Sequence, residues 1–314
     1  MDTPLLSICI IAYNHVTYIK EAVEGVLMQK VNFPWELVIA DDFSTDGTRE
    51  IILEYKVKYP DIIKLILQEK NVGAAQNWID LITYPKSKYI AYFEGDDYWT
   101  DPLKLQKQVD FMEANENYSY CCTKFSVLND NTKKISEDER FSIYSDQYVN
   151  ETEITKENLF DPYISHTLTV VYRNHLLTNQ DLKQPYFKDI FLFMCLLQKG
   201  NGKFLNFNSS VYRLNDNSIW GTKPKSVRAK QNFLTAESML NYFPQDNNKH
   251  LVKFYIGCLF EYCHYLSVHE KYAYLGKKYT FIYYYSKLKR GVKSIIPSKY
   301  ILKIQNNMKY YLMK

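Results

Sequence analysis

The apolar positions of this 314-residue chain open with LLSICIIA at residues 5–12, a short uninterrupted run rich in isoleucine. That is the pattern of a strand buried on both faces. The spacing then turns helical in HVTYIKEAVEGVLMQ, where Ile19, Val23, Val26 and Leu27 fall on one stripe. WELVIA repeats the strand pattern, GTREIILEYKVKYP the helical one up to Pro60, and IKLILQ, AAQNWIDLITY and KYIAYF continue the alternation. This strand-helix order through residue 93 predicts an α/β fold, a parallel sheet with helices on both sides. Beyond it, CCTKFSVL and HTLTVVYR read as strands, NDNTKKISEDER as a loop, and DIFLFMCLLQKG as a helix ended by Lys199-Gly200. After Trp220 the pattern is helical and rich in tyrosine. The expected organisation is an α/β domain over residues 1–222 and a helical C-terminal region over 223–314.

In a parallel sheet, ligands sit at the carboxyl edge of the strands. Every predicted strand end carries polar residues: Tyr13-Asn14-His15, then Asp41-Asp42 with Ser44 and Asp46, then Glu69 to Gly73, then Glu94 to Asp97. Adjacent carboxylates raise one another's pKa unless a cation offsets them, and Mg²⁺ or Mn²⁺ prefers oxygen ligands. Asp96-Asp97 therefore suggest a metal-bridged phosphate ligand, with solvated loop acids as the alternative. A carboxylate at the second strand end, Asp42, suits a nucleobase N–H, and the Tyr13 ring suits the same base. Asn71 and Gly73 predict a tight turn that lets backbone approach the nucleotide, or simply a strand-to-helix turn. No G-x-G-x-x-G follows any strand, and Gly276-Lys277 lacks the upstream glycine of a P-loop.

The segments SICIIAYNHVTYIKEAVEGVLMQ, ELVIADDFSTDGT, NVGAAQNW, YIAYFEGDDYW and KDIFLFMCLLQKG…VYRLNDNSIW stand in the order found in family 2 glycosyltransferases. The chain resembles that family over residues 5–221. The resemblance implies the GT-A fold and transfer of a sugar, with inversion, from a nucleotide diphosphate donor, with a UDP-sugar as the expected donor. By position, Tyr13 and Asp42 resemble the base-binding pair, Asp96 the donor-sugar or ribose contact, and Asp97, beside Asp96, the metal ligand of the D-x-D region. Ala12, Asn14, Asp41, Asn71, Gly73 and Asn77 fall in the same donor-binding segments. Glu94 stands where a first Asp is common, and Ala12 replaces a small hydroxyl residue.

An inverting displacement needs a base to take the acceptor hydroxyl's proton. Asp189 aligns with the family's base, and an Asp before an apolar helix is also a natural N-cap. Arg213 and Trp220 resemble the loop that closes on the donor, Arg213 reaching diphosphate or acceptor or else forming a salt bridge. Trp220 and His166, the latter at a predicted strand start, are acceptor-side candidates, with a structural histidine as the other reading of His166.

Composition adds three constraints. Six scattered cysteines without a C-x-x-C pair suit a reducing compartment, and the helical spacing of Cys258, Cys263, His264 and His269 spreads them around a cylinder instead of forming a metal site. The N-terminus lacks a basic n-region and no apolar run reaches spanning length, so the expected location is the cytoplasm. The net charge of +4 conceals an asymmetry: 11 of the 39 basic residues and none of the 35 acidic ones follow Glu270, leaving a net −7 over residues 1–270. The basic, aromatic tail is expected to rest on the inner face of the membrane near a lipid-linked acceptor, to cap the domain, or to form a homodimer. An acidic body argues against nucleic acid. The expected activity is metal-dependent sugar transfer to a glycan or lipid-linked hydroxyl in cell-surface polysaccharide synthesis. The rival expectations are a metal-dependent nucleotidyltransferase and a catalytically idle nucleotide-binding subunit.

Overall fold

The computed structural model describes residues 3–144, 152–160, 163–215, 221–243, 248–271 and 275–276. The chain divides into two compact units, Met1–Thr222 and Lys223–Lys314.

In the first unit, strand β1 (Leu6–Ala12), helix α1 (Ile19–Leu27), β2 (Trp35–Asp41), α2 (Thr48–Lys58), β3 (Ile63–Leu67), α3 (Ala74–Thr83) and β4 (Tyr89–Glu94) follow in alternation. A short β5 (Tyr98–Trp99) and α4 (Lys104–Ala114) lead to β6 (Tyr118–Asn129), β7 (Lys134–Glu137), α5 (Glu139–Tyr144) and β8 (Glu153–Ile154). Then come β9 (Val171–Arg173), α6 (Asn179–Leu182), α7 (Asp189–Leu197) and the long β10 (Asn201–Leu214). The sheet order is β3-β2-β1-β4-β9-β6-β10-β5, with β7 on β6 and β8 on β10. The structure thus has the expected α/β architecture.

Strands β1 to β4 are parallel, and their ends lie level. Ile11 pairs with Glu94, Ala12 with Asp41, and Asp41 with Leu67. All four polar clusters therefore emerge at one edge. The run LSICIIA makes this possible because helices cover both faces of the sheet: Leu6, Ile8, Cys9 and Ile10 have no exposed surface. Helix α1 buries Ile19, Val23 and Val26 as its spacing predicts, while Leu27 is only half-buried.

Three expectations change. The segment NDNTKKISEDER contributes a hairpin strand, β7, paired antiparallel with β6. HTLTVVYR yields only the three-residue β9, because His166 Nδ1 accepts the Leu168 N–H and starts a 3₁₀ turn over Thr167–Thr169. Arg213 belongs to strand β10 and not to a loop.

The second unit contains α8 (Lys225–Tyr242) and α9 (Lys249–Cys263), packed through Phe233 stacked on Tyr262 with centroids 5.5 Å apart. All six cysteines are buried, with no disulfide among them. Among the described residues, no helix is long and apolar enough to cross a membrane. Trp220 and nearly all of the basic tail, residues 277–314, lie outside the described residues.

Candidate active site

The strand-end acids do different jobs, although their spacing in sequence looks uniform. Asp41 is fully buried and its carboxylate pairs with Arg49 at 2.6 Å. Asp42 is 2% exposed, and its two oxygens accept the N–H groups of Val72 at 2.7 Å and Gly73 at 3.0 Å. Asp46 accepts from the Thr48 hydroxyl and from the N–H groups of Val16 and Thr48; these bonds outweigh burial and hold its carboxyl below the usual range. Three of the acids therefore build turns. Among the described residues no group of three or more His, Cys, Asp or Glu is placed to hold a metal.

Several donor-site candidates are also absorbed into the scaffold. The Ala12 side chain is buried and its carbonyl accepts the Asp42 N–H. Asn77 is 0% exposed, with its amide donating to the Ala40 carbonyl and accepting from Gln68, so it fastens α3 to β2 instead of reaching a ligand. Asn14, with φ 55°, is exposed and joins two loops through its N–H to Ser44 Oγ and its Oδ1 from the Thr45 N–H. Asn71 is exposed and its amide reaches the Asp42 carbonyl at 3.4 Å. Gly73 has φ 86° and ψ 152°, a region only glycine enters without strain, and its N–H is thereby aimed at Asp42. Tyr13 remains half-buried at the end of β1.

The turn after β4 carries the reactive cluster. Asp97 is 1% exposed, its Oδ1 accepts the Arg213 N–H at 2.7 Å, and its Oδ2 is a buried oxygen without a partner. Burial first, then the charges of Asp96 and Glu94, push its carboxyl up. Asp97 is thus a buried carboxylate with one oxygen bonded to the β10 backbone and the other unpartnered. Asp96 is half-buried, and its Oδ2 accepts from the Asn215 amide at 3.1 Å.

Glu94 accepts from the Tyr92 hydroxyl at 3.1 Å and the Thr167 hydroxyl at 3.2 Å. Burial, together with the neighbouring Asp189 and Asp96 carboxylates, raises it to about 8. Asp189 opens α7 as its first helical residue, after Lys188 at the N-cap, and its carboxylate accepts its own backbone N–H. It is exposed, yet the protein mass around it removes enough water to raise its carboxyl.

Tyr212, which the sequence reading did not single out, stands among these acids. The charges of Asp97, Glu94, Asp96 and Asp189, after burial, all raise its phenol. Its ring meets His166 edge-on at 5.1 Å. His166 also packs 4.8 Å from Phe125, and burial lowers it to about 3, so it is a neutral imidazole at pH 7. The only signal for Tyr212 in the sequence is its place in VYRL, where strand alternation turns it to the face opposite Arg213.

Arg213 is 6% exposed and bonds to Glu21, Asp130 and the Asp96 carbonyl. Its guanidinium is thus engaged within the protein, in the salt bridges that were the other expectation for it.

Four carboxylates within electrostatic reach of one phenol, offset by Lys188 at Asp189 and by Arg213 at Asp97, leave a surplus of negative charge that a divalent cation fits. A cation of the Mg²⁺ type is commonly held by one or two carboxylates plus substrate phosphates, so a lone accessible Asp96 is a suitable donor set.

Residues 7–174 match the profile of Glycosyl transferase family 2. An uncharacterized Mycobacterium tuberculosis protein, Rv1520, is 34% identical over 224 residues, covering 68% of this chain and 60% of its own length. The chain thus spans less than two thirds of that relative. The Escherichia coli protein named UDP-Glc:alpha-D-GlcNAc-diphosphoundecaprenol beta-1,3-glucosyltransferase WfgD is 30% identical over 236 residues, or 74% of this chain and 87% of its own. Among solved structures, S. aureus TarS 1-349 in complex with UDP-GlcNAc matches at a TM-score of 0.64 and 19% identity, over 85% of this chain and 74% of that one. The likeness to TarS is one of fold, the GT-A arrangement. The profile covers more than half of the 314 residues, and its span includes Asp42, Glu94, Asp96 and Asp97: the chain belongs to glycosyl transferase family 2.

Proposed function

We propose that the protein is an inverting, metal-dependent glycosyltransferase that moves a sugar from a UDP-sugar to a hydroxyl of a glycan or lipid-linked acceptor. The observation that carries this reading is the pairing of an exposed, pKa-raised Asp189 with Glu94 and Asp96 in one electrostatic cluster at the sheet edge. A carboxylate raised toward neutral pH is better matched to accept a proton there than an ordinary one. Asp189 takes the proton of the acceptor hydroxyl as that oxygen bonds to the anomeric carbon. The bond from that carbon to the diphosphate breaks with its electron pair, and the nucleoside diphosphate leaves. Tyr13 and the loop held by Asp42 receive the base, and Asp96, not Asp97, holds Mn²⁺ or Mg²⁺. The cation, when bound, neutralises charge on the departing diphosphate.

The UDP assignment is supported by the name of the WfgD relative, which also motivates a diphosphoundecaprenol-linked acceptor and a polysaccharide setting. The basic tail places the protein on an anionic membrane surface, each Lys or Arg contributing about 1 kcal/mol. Flotation with anionic liposomes should carry the full chain but not residues 1–270; equal recovery of both in the unbound fraction contradicts membrane docking.

The activity test is product analysis with UDP-, GDP-, CDP- and dTDP-sugars, Mn²⁺ and a diphosphoundecaprenol-linked GlcNAc acceptor. The expected result is UDP release matched by glycosylated lipid. Pyrophosphate release would mark a nucleotidyltransferase, and nucleotide binding without turnover an assembly subunit.

A further inference from the structure

Arg213 sits on β10, next to last in the strand, where its neighbours are the turn that follows β4. Its backbone N–H donates to Asp97 Oδ1 at 2.7 Å, and its Nε donates to the Asp96 carbonyl at 2.9 Å. The two ends of the guanidinium reach away from the turn, Nη1 to Asp130 Oδ1 at 3.2 Å and Nη2 to Glu21 Oε2. The Tyr18 and Tyr98 rings lie 4.8 Å and 5.1 Å from its centre. Two residues on, the Asn215 amide donates to Asp96 Oδ2 at 3.1 Å. One strand end thus touches both residues of the Asp96-Asp97 pair, and Arg213 fastens that strand end to α1 through Glu21 and to the end of β6 through Asp130.

We infer that Arg213 is a positioning residue: it grips the backbone of the Asp96-Asp97 turn from α1 and β6 and so aims the Asp96 carboxylate. The chemistry requires such a grip. Two adjacent carboxylates repel each other, and a turn carrying them relaxes toward solvent unless a cation or a fixed donor holds it. A planar guanidinium with a fixed fork of donors can bridge a carbonyl and two carboxylates at once, which a lysine ammonium on a flexible stem does not reproduce. Sandwiching between two aromatic faces keeps the fork from rotating. Asp97 joins the same device from the other side, its buried Oδ1 fixing the β10 backbone against the turn. The two acids of the motif accordingly have separate duties, Asp96 toward the ligand and Asp97 toward the scaffold.

This inference rests on the proposed function, since it assigns Asp96 the cation. The test measures Mn²⁺-dependent UDP binding by calorimetry, with Mn²⁺ titrated at fixed UDP, in the full chain and in Arg213→Lys, Asp96→Asn and the double variant. Thermal melting is followed in parallel. Arg213→Lys should weaken the apparent Mn²⁺ affinity about 10-fold or more, with UDP affinity in the absence of metal within about 2-fold of the parent. In the Asp96→Asn background the same change should add less than about 2-fold, because Arg213 acts through Asp96. Multiplicative effects, or an Arg213→Lys loss of metal-free UDP binding, would make Arg213 a direct ligand and overturn the inference.

If Arg213→Lys fails to fold, Glu21→Gln carries the test, because it removes one tether from a half-exposed partner and leaves Arg213 in place. It should weaken Mn²⁺ affinity severalfold, and unchanged affinity overturns the inference. If the parent protein itself binds UDP no better with Mn²⁺, the proposed function and the positioning role fall together. A parent that responds to Mn²⁺ beside variants that respond equally removes only the positioning role.

Discussion

Lys104 is costly to bury. It has no exposed surface and no carboxylate partner, and its ammonium meets Gln108 Oε1 at 2.6 Å, the Thr169 carbonyl at 3.3 Å and the Trp99 ring at 4.3 Å. Burial lowers its pKa from 10.5 to about 7. A folded pKa below the unfolded one means protonation favours unfolding. The penalty is absent above pH 10.5, grows as pH falls toward 7, and is level below that. Lys104→Met should therefore raise stability at pH 7 by about 1–2 kcal/mol in urea melts, with the gain shrinking as pH rises from 7 to 10.5. A loss of stability at pH 7 would contradict this account. At the same scale, Asp189→Asn should cut turnover by about 10²–10⁴-fold while leaving melting and UDP binding intact, and the parent rate should rise with pH through an ionisation above the ordinary aspartate range. Loss of UDP binding in that variant would point to a structural Asp189. The acids also show what single residues withhold from a sequence reader. Asp41, Asp42, Asp46 and Asp97 are the same residue type at similar strand-end positions as Asp96, and only their partners, Arg49, the Val72 and Gly73 N–H groups, Thr48 and the Arg213 backbone, separate turn builders from ligands.

Among the elements, α1 is held to the sheet by an absence. A Cβ on Gly25 would come within 3.0 Å of the backbone N and O of Trp99, so the helix lies directly on β5. Backbone cannot swing aside as a side chain can, and Gly25→Ala should cost about 1–3 kcal/mol. Because α1 also carries Glu21, the same variant should weaken Mn²⁺ affinity, which a helix with slack beneath it would not show. The first four strands were legible because burial on both faces leaves a continuous apolar signature that length and flanking polar residues delimit. β7 was not legible, since Lys134–Glu137 is exposed throughout and pairs by backbone alone, leaving no hydrophobic period to read. β9 is shorter than HTLTVVYR suggests because a histidine lone pair diverts the backbone into a 3₁₀ turn, a competition between side chain and ladder invisible to periodicity. The family resemblance places Arg213 in a loop, whereas β10 reaches it after shifting register between Leu205 and Asn208 and again before Val211.

For the whole molecule, the family and the architecture were legible from the order of five segments, whereas the division of labour among the acids needed coordinates. The separation of residues 1–222 from 223–314 leads to a further expectation, that residues 1–222 alone melt cooperatively and bind UDP with Mn²⁺. A non-cooperative melt of that fragment would mean that the helical region completes the core. The central claim is that the Asp96 carboxylate, aimed by a scaffold that includes Asp97, receives a divalent cation carried with the donor diphosphate. Anomalous diffraction from crystals of the protein with UDP and Mn²⁺ addresses it most directly. The account predicts a manganese peak in contact with Asp96 and the diphosphate, with Asp97 still bonded to the Arg213 backbone. A peak ligated by Asp97 or Asp42, or UDP bound with no manganese beside it, would contradict it.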